Sequence, residues 1–341
     1  MCKLNIVLSL GLLLGLAGQA DAAAKKILGI FYEGCEKTCE GLKDGIAKSG
    51  FDAEVTILDL AQDKKKIPGA IETARGMKPD AVVVYGTTAT LGVIGAMADA
   101  GKPQFLNNYP VVFTAVADPV GSKVVKDLKA SGRDNVTGTF NRVPEALNVQ
   151  IIRRYDAGFN KLGLLYHRNE KNSVQKMEEL KKLAPELGFE LVALEIEPGS
   201  TEVPKIELID ARLKELKQKG VKWHYVGSSS FLNANGKLFT EKAVEKGIAI
   251  VSPYPALVRE HSALLSIAAP REEVGELAAK QVLRILADGA KPGELPILVA
   301  THFTHAVNIK VAKQLNLLPP SSFKSSDTEF VLDYYLSSSG Q

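Results

Sequence analysis

Apolar positions along this chain recur with two periods, one near two residues and one near 3.6, and they take turns. Lys25–Tyr32, Phe51–Leu60 and Ala81–Tyr85 are short runs rich in Val, Ile and Leu, which predicts strands. Between them, Leu42 and Ile46 lie on one stripe of a helix over Cys39–Ser49 that Gly50 closes. Ile67, Ala70, Ile71, Ala74 and Met77 form a second helical stripe. Val111–Ala117 has almost no polar interruption, the pattern of a strand buried on both faces. Asp118-Pro119 then offers an N-cap followed by a first-turn proline, which predicts a helix over Val120–Ala130. Gly132 and Asn135 end it before a strand at Val136–Phe140.

The second half repeats this order without a clear sequence repeat. Strands are expected at Lys161–Tyr166, Glu190–Leu194, Trp223–Val226 and Ile248–Ser252, with helices ending at Gly188, at Gly220 and before Gly247. Ala263–Ala268 with a helix over Arg271–Ala287, then Pro296–Ala300 with a helix around Val307–Leu315, follow. Beyond Pro320 the chain is Ser-rich, with room for an edge strand at Glu329–Tyr335. Strands alternating with helices imply parallel sheets with right-handed crossovers, hence an α/β protein of two Rossmann-like lobes with a cleft between them.

In open α/β sheets ligands gather at the C-terminal strand edge. Three polar turns stand there in the first lobe, at Tyr32–Cys35, Gly86–Thr88 and Ala117–Pro119. Backbone N–H groups and hydroxyls at Thr87 and Thr88 suit an anion, although a threonine there serves equally well as a helix cap.

Composition narrows the class. The chain is 45% hydrophobic and 24% charged, with a net charge of +3 spread evenly, which gives no case for nucleic acid. Lys3, an apolar run of about eleven residues from Ile6 to Leu16, and Ala20-Asp21-Ala22 form a secretory signal pattern too short to span a bilayer. Residues 1–22 are therefore expected to be a signal peptide and the mature protein to be periplasmic, with no membrane insertion. Cys35 and Cys39 remain after cleavage, either as a local disulfide in an oxidising compartment or as two thiols; a metal site would need further ligands. No G-x-S-x-G elbow, H-E-x-x-H or GK[ST] loop is present, so no enzyme chemistry is expected and no cofactor is called for.

The stretch FTAVADPVG, then NVTGTF, together with Lys78-Pro79-Asp80 before Gly86-Thr87, Leu187-Gly188, Gly289 with Leu295-Pro296 and the closing VNIKVAKQLNLLPP, resembles a family of ABC-transporter solute-binding proteins. Studied members of that family include tryptophan and other amino-acid receptors. The resemblance covers nearly the whole mature chain. It implies the type 1 periplasmic binding protein fold, with parallel-sheet lobes joined by a three-strand hinge: residues 23–140 plus 264–290, residues 141–263 plus 291–320, and a tail at 321–341. It also implies a monomer that closes on a small-molecule ligand and delivers it to the transmembrane subunits of an ABC permease. Resemblance and position together nominate Tyr32, Glu33, Thr87, Thr88, Asp118, Tyr166, Ser229, Ser230 and Tyr254 as ligand-binding residues.

Two departures bear on the ligand. Family members often carry an acid where this chain reads Ser228-Ser229-Ser230, and Asp with an aromatic where it reads Ala269-Pro270. A buried ammonium without a carboxylate partner is costly, so an amino-acid ligand would need its acid from elsewhere, with Glu33 and Asp118 as the sequence candidates. A ligand-sensing subunit of a signalling system is the alternative function, and a periplasmic enzyme a third.

Overall fold

The computed structural model describes residues 23–32, 34, 37–325 and 327–331. The expected signal segment, Glu33, Cys35 and the end of the tail lie outside them. The first sheet has the strand order β11-β5-β4-β3-β1-β2, all parallel. Its strands are β1 (Lys25–Phe31), β2 (Ala53–Asp59), β3 (Ala81–Tyr85), β4 (Val111–Thr114), β5 (Val136–Phe140) and, from far along the chain, β11 (Leu298–Val299). Helices α1 (Lys37–Lys48), α2 (Ile67–Met77) and α3 (Thr87–Ile94) lie between the early strands. Strand β3 shows why the sheet is central. Ala81, Val82, Val83 and Val84 are all fully buried, Val82 and Val84 in one apolar cluster and Ala81 and Val83 in another across the sheet. At roughly 1.5–3 kcal/mol for each large apolar side chain buried, a strand covered on both faces stabilises the lobe far more than an edge strand does.

The second sheet has the order β13-β12-β10-β9-β8-β6-β7, in which the β10–β12 pair is antiparallel and the others are parallel. Its early part runs α4 (Glu145–Tyr155), β6 (Lys161–Tyr166), α5 (Lys171–Leu187), β7 (Glu190–Glu195) and α6 (Leu208–Gln218). Then come β8 (Trp223–Tyr225), α7 (Ser230–Ala234), α8 (Gly236–Glu245), β9 (Ala249–Ser252) and α9 (Ala256–Arg259). The chain finishes with β10 (Leu265–Ala268), α10 (Arg271–Leu286), β12 (Thr304–Asn308), α11 (Ile309–Gln314) and β13 (Thr328–Val331).

The chain crosses between the two sheets three times: after β5, between β10 and α10, and between β11 and β12. The crossings depart from the sequence expectation in two places. Residues 265–268 pair with β9 and β12 in the second sheet, so within 264–290 it is α10 that packs on the first lobe. Residues 298–299 pair with β5 in the first sheet, so the third crossing falls after Ala300. His302 in that crossing places Nδ1 2.5 Å from Glu273 of α10 and Nε2 3.5 Å from Asp327 before β13.

Three other local expectations are corrected. No helix forms over Val120–Ala130. Val124 and Val125 N–H groups both return to the Pro119 carbonyl, and Lys123 has φ 60°, a left-handed residue that a helix cannot continue through. Gly121-Ser122 and the Val-Val pair are weak helix formers, so the N-cap signal opens a single turn and nothing sustains it. The helix expected from Val307 starts at Ile309, because Thr304–Asn308 complete a strand that is paired on both sides. The segment expected as a tail packs from its start, since Phe323 is fully buried; the edge strand expected at Glu329–Tyr335 is present as β13 at Thr328–Val331, and the residues after Val331 lie outside the described ones.

Candidate functional site

The site is built from strand ends. In the first lobe, the Tyr32 N–H donates to the Tyr85 carbonyl at 3.2 Å, which locks the exit of β1 to that of β3. Gly86, at φ 93°, turns the chain into α3 with a conformation that a side chain would resist, and a Cβ there would meet the Tyr32 side chain at 3.2 Å. Thr87 then opens the helix, and its hydroxyl accepts a bond from the Ala117 N–H at 3.2 Å, tying the third turn to the second. Thr88 is exposed beside it. Asp118, half-buried, accepts the Gly121 N–H on Oδ1 at 2.7 Å, so it caps a turn rather than a helix. Tyr32, Thr87, Thr88 and Asp118 thus stand on one edge; Glu33 lies outside the described residues.

Tyr166 at the end of β6, Ser229 and Ser230 after β8 and Tyr254 after β9 occupy the corresponding edge of the second lobe. Tyr166 ends β6, and burial together with the neighbouring Glu195 carboxylate raises its phenol above the ordinary value. Tyr254 is half-buried, its N–H donating to the Ser252 hydroxyl at 2.9 Å. Ser229 is fully buried, and its Oγ accepts from the Leu232 N–H at 3.2 Å as the cap of α7. Ser230 is exposed, with both its N–H and its hydroxyl directed at Glu170.

The two edges meet at the rim. Lys171 Nζ, at the start of α5, donates across to the Gly121 carbonyl at 3.1 Å. A Cβ on Gly121 would stand 2.6 Å from Gln175 Nε2 on the same helix.

Sequence reasoning missed the loop behind this contact. His167 is buried after β6, and its Nε2 lies 3.1 Å from Ser229 Oγ and 3.2 Å from Glu170 Oε2. His167 Nδ1 contacts Asn169 Oδ1. Glu170 receives the Ser230 N–H at 2.9 Å and the Ser230 hydroxyl at 2.8 Å. Burial by itself would raise the Glu170 carboxyl, but the bonds from His167 and Ser230 outweigh it and hold it below the usual carboxylate value. The only sequence signal was a polar run, His167-Arg168-Asn169, after a clean strand, which is what most βα turns look like.

Ser229, His167 and Glu170 superficially form a nucleophile–base–acid set. Geometry argues against that role. Serine and carboxylate share one imidazole nitrogen, whereas a relay places them on opposite nitrogens, and the hydroxyl is buried as a helix cap. Among the described residues no group of three His, Cys, Asp or Glu side chains is placed to hold a metal ion, and no helix is long and apolar enough to cross a membrane. Cys39 is disulfide-bonded, while Cys35, its expected partner, lies outside the described residues.

Two lobes of mostly parallel strands, joined by three crossings and in contact through Lys171 and Gly121, define a bilobal α/β protein. A family model for ABC transporter substrate binding protein matches residues 29–330, and the chain belongs to that family. It is a binding protein, not an enzyme. A curated tyrosine-binding protein from Clostridioides difficile is 21% identical over 307 residues, covering 88% of this chain and 83% of its own. The ligand-free, open structure of a Clostridium difficile substrate-binding protein with adhesive properties superposes with a TM-score of 0.76 at 20% identity, over 90% of this chain and 99% of the other. A Streptococcus pneumonia ABC domain in complex with L-Trp superposes with a TM-score of 0.66 at 24% identity, over 88% and 97%. These likenesses establish the type 1 periplasmic binding protein fold.

Proposed function

We propose that this protein is the extracytoplasmic receptor of an ABC importer, exported by the segment at residues 1–22. In this reading it acts as a monomer that closes its two lobes on an amino acid, an aromatic one first, and presents it to the permease subunits. What supports the proposal is that both lobes carry polar strand-end turns, Gly86–Thr88 with Asp118 on one and Tyr166 with Ser229-Ser230 on the other, and that the lobes are in contact through Lys171 and Gly121. The relatives that bind tyrosine and tryptophan support the ligand class. Thr87 and Thr88 at the start of α3 would take the ligand carboxylate on N–H groups and hydroxyls. Tyr32, Tyr166 and Tyr254 would flank a flat side chain and still offer their hydroxyls. Three crossings provide the hinge on which such lobes close.

A thermal-shift screen of the protein from Ala23 onward tests this, using the twenty L-amino acids, purines, pyrimidines and small organic acids. A ligand at a hundred times its dissociation constant adds about 2.7 kcal/mol, a rise of several degrees in a chain of this size. We expect the rise with tyrosine, tryptophan or phenylalanine. A rise confined to nucleobases or organic acids would overturn the amino-acid reading and leave the fold and family untouched.

A further inference from the structure

Glu170 is a half-buried carboxylate beyond the C-terminal end of β6. Its side chain is only 21% exposed, yet no lysine or arginine forms an ion pair with it among the described residues. Its partners are one histidine and the N–H and hydroxyl of Ser230. The nearby Glu145 and Glu179 show the usual arrangement, since Lys176 and Arg142 both pair with them. Carboxylates withdrawn from water are ordinarily met by a cation. Lys171, adjacent in sequence, turns its ammonium away to the Gly121 carbonyl of the other lobe. That bond also shows where Glu170 stands, at the start of α5 where the lobes face each other.

Asp118, the competing acid, belongs to the first-lobe turn that is tied to Thr87, beside the groups assigned to the ligand carboxylate, where a second negative charge is unfavourable; its Oδ1 accepts the Gly121 N–H of its own turn. Glu170 instead blocks the Ser230 N–H from serving a ligand anion, so this wall of the cleft presents an acid and not an anion cradle.

Resting on the amino-acid reading above, we propose that Glu170, positioned by His167 and Ser230, receives the ligand's ammonium group. It supplies from the turn after β6 the charge that Ser228–Ser230 lacks, and this restricts the ligand to compounds with a cationic amine.

Calorimetry of the mature protein with L-tyrosine, L-tryptophan and their desamino acids, 3-(4-hydroxyphenyl)propanoate and 3-(indol-3-yl)propanoate, tests the proposal. Wild type, Glu170→Gln, Glu170→Asp and Asp118→Asn are compared. We expect wild type to prefer the amino acid, Glu170→Gln to weaken it by about a hundredfold or more with little change for the desamino acid, and Glu170→Asp to retain part of the binding. Equal loss for amino and desamino ligands would make Glu170 only a prop for the Ser230 turn and would overturn the proposal. So would full binding by Glu170→Gln, or a selective loss in Asp118→Asn alone. If wild type binds none of the four, both this proposal and the aromatic reading fail; if it binds them and Glu170→Gln is unaffected, only this one does.

Discussion

His224 in β8 is fully buried, and its Nε2 accepts the Leu165 N–H at 3.0 Å, satisfying a backbone donor of the neighbouring strand. Burial pulls its pKa from the ordinary 6.5 down to about 3. Between those values the unfolded chain holds a proton that the folded chain refuses, so the contribution to stability is complete above about pH 6.5 and drains away as pH falls towards 3. The slope is about 1.4 kcal/mol per pH unit while that difference lasts. Urea unfolding at stepped pH should show wild type losing stability on acidification more steeply than His224→Gln, which keeps an acceptor for Leu165 without the titration. Parallel slopes would mean that His224 is not neutral and buried as described. In the sequence, His224 was one of five scattered histidines. Alternation in a three-residue strand covered on both faces carries no sign of which side chain will find a backbone donor.

Helices α1 and α10 approach so closely that glycine is required on both. A Cβ on Gly41 would lie 2.0 Å from the Glu272 carbonyl oxygen, and one on Gly275 would lie 2.0 Å from the Thr38 carbonyl oxygen. Alanine favours a helix by about 1 kcal/mol over glycine, but overpacking against backbone that cannot step aside costs about 1–3 kcal/mol. Gly41→Ala and Gly275→Ala should therefore lower the melting temperature, whereas Gly69→Ala in α2, where a Cβ meets nothing within 4 Å, should hold or raise it. A rise in all three by calorimetry would show that the interface yields. The helical stripes of α1 and α10 were readable from period alone; that two glycines were contact points and not defects was not, because α10 joins the first lobe only after the chain has been through the second.

The Lys171–Gly121 bond is exposed and adds little to folding, but it joins the two lobes. Lys171→Ala should leave the unfolding midpoint within about 0.5 kcal/mol of wild type. It should speed ligand release by about two- to fivefold in stopped-flow measurements, the effect of one hydrogen bond to a charged donor near solvent. An unchanged release rate would place this contact outside the closing motion.

Local pattern determined much of this protein: the order of strands and helices, the doubly buried β3 and β4, and the polar turns at strand ends where Tyr32, Thr87, Asp118, Tyr166 and Ser229 sit. Those features follow from side-chain period and from turn chemistry within a few residues. Where the chain crosses between sheets was decided by tertiary pairing. Nothing inside LSIA says that β10 will lie antiparallel to β12, or inside LV that β11 will add to β5. The same physics governs the site. Glu170 reaches Ser230 across sixty residues, an acid supplied from one turn to another that lacks it. Charge is free to come from any element the fold brings near, whereas a strand or helix draws on its own neighbours.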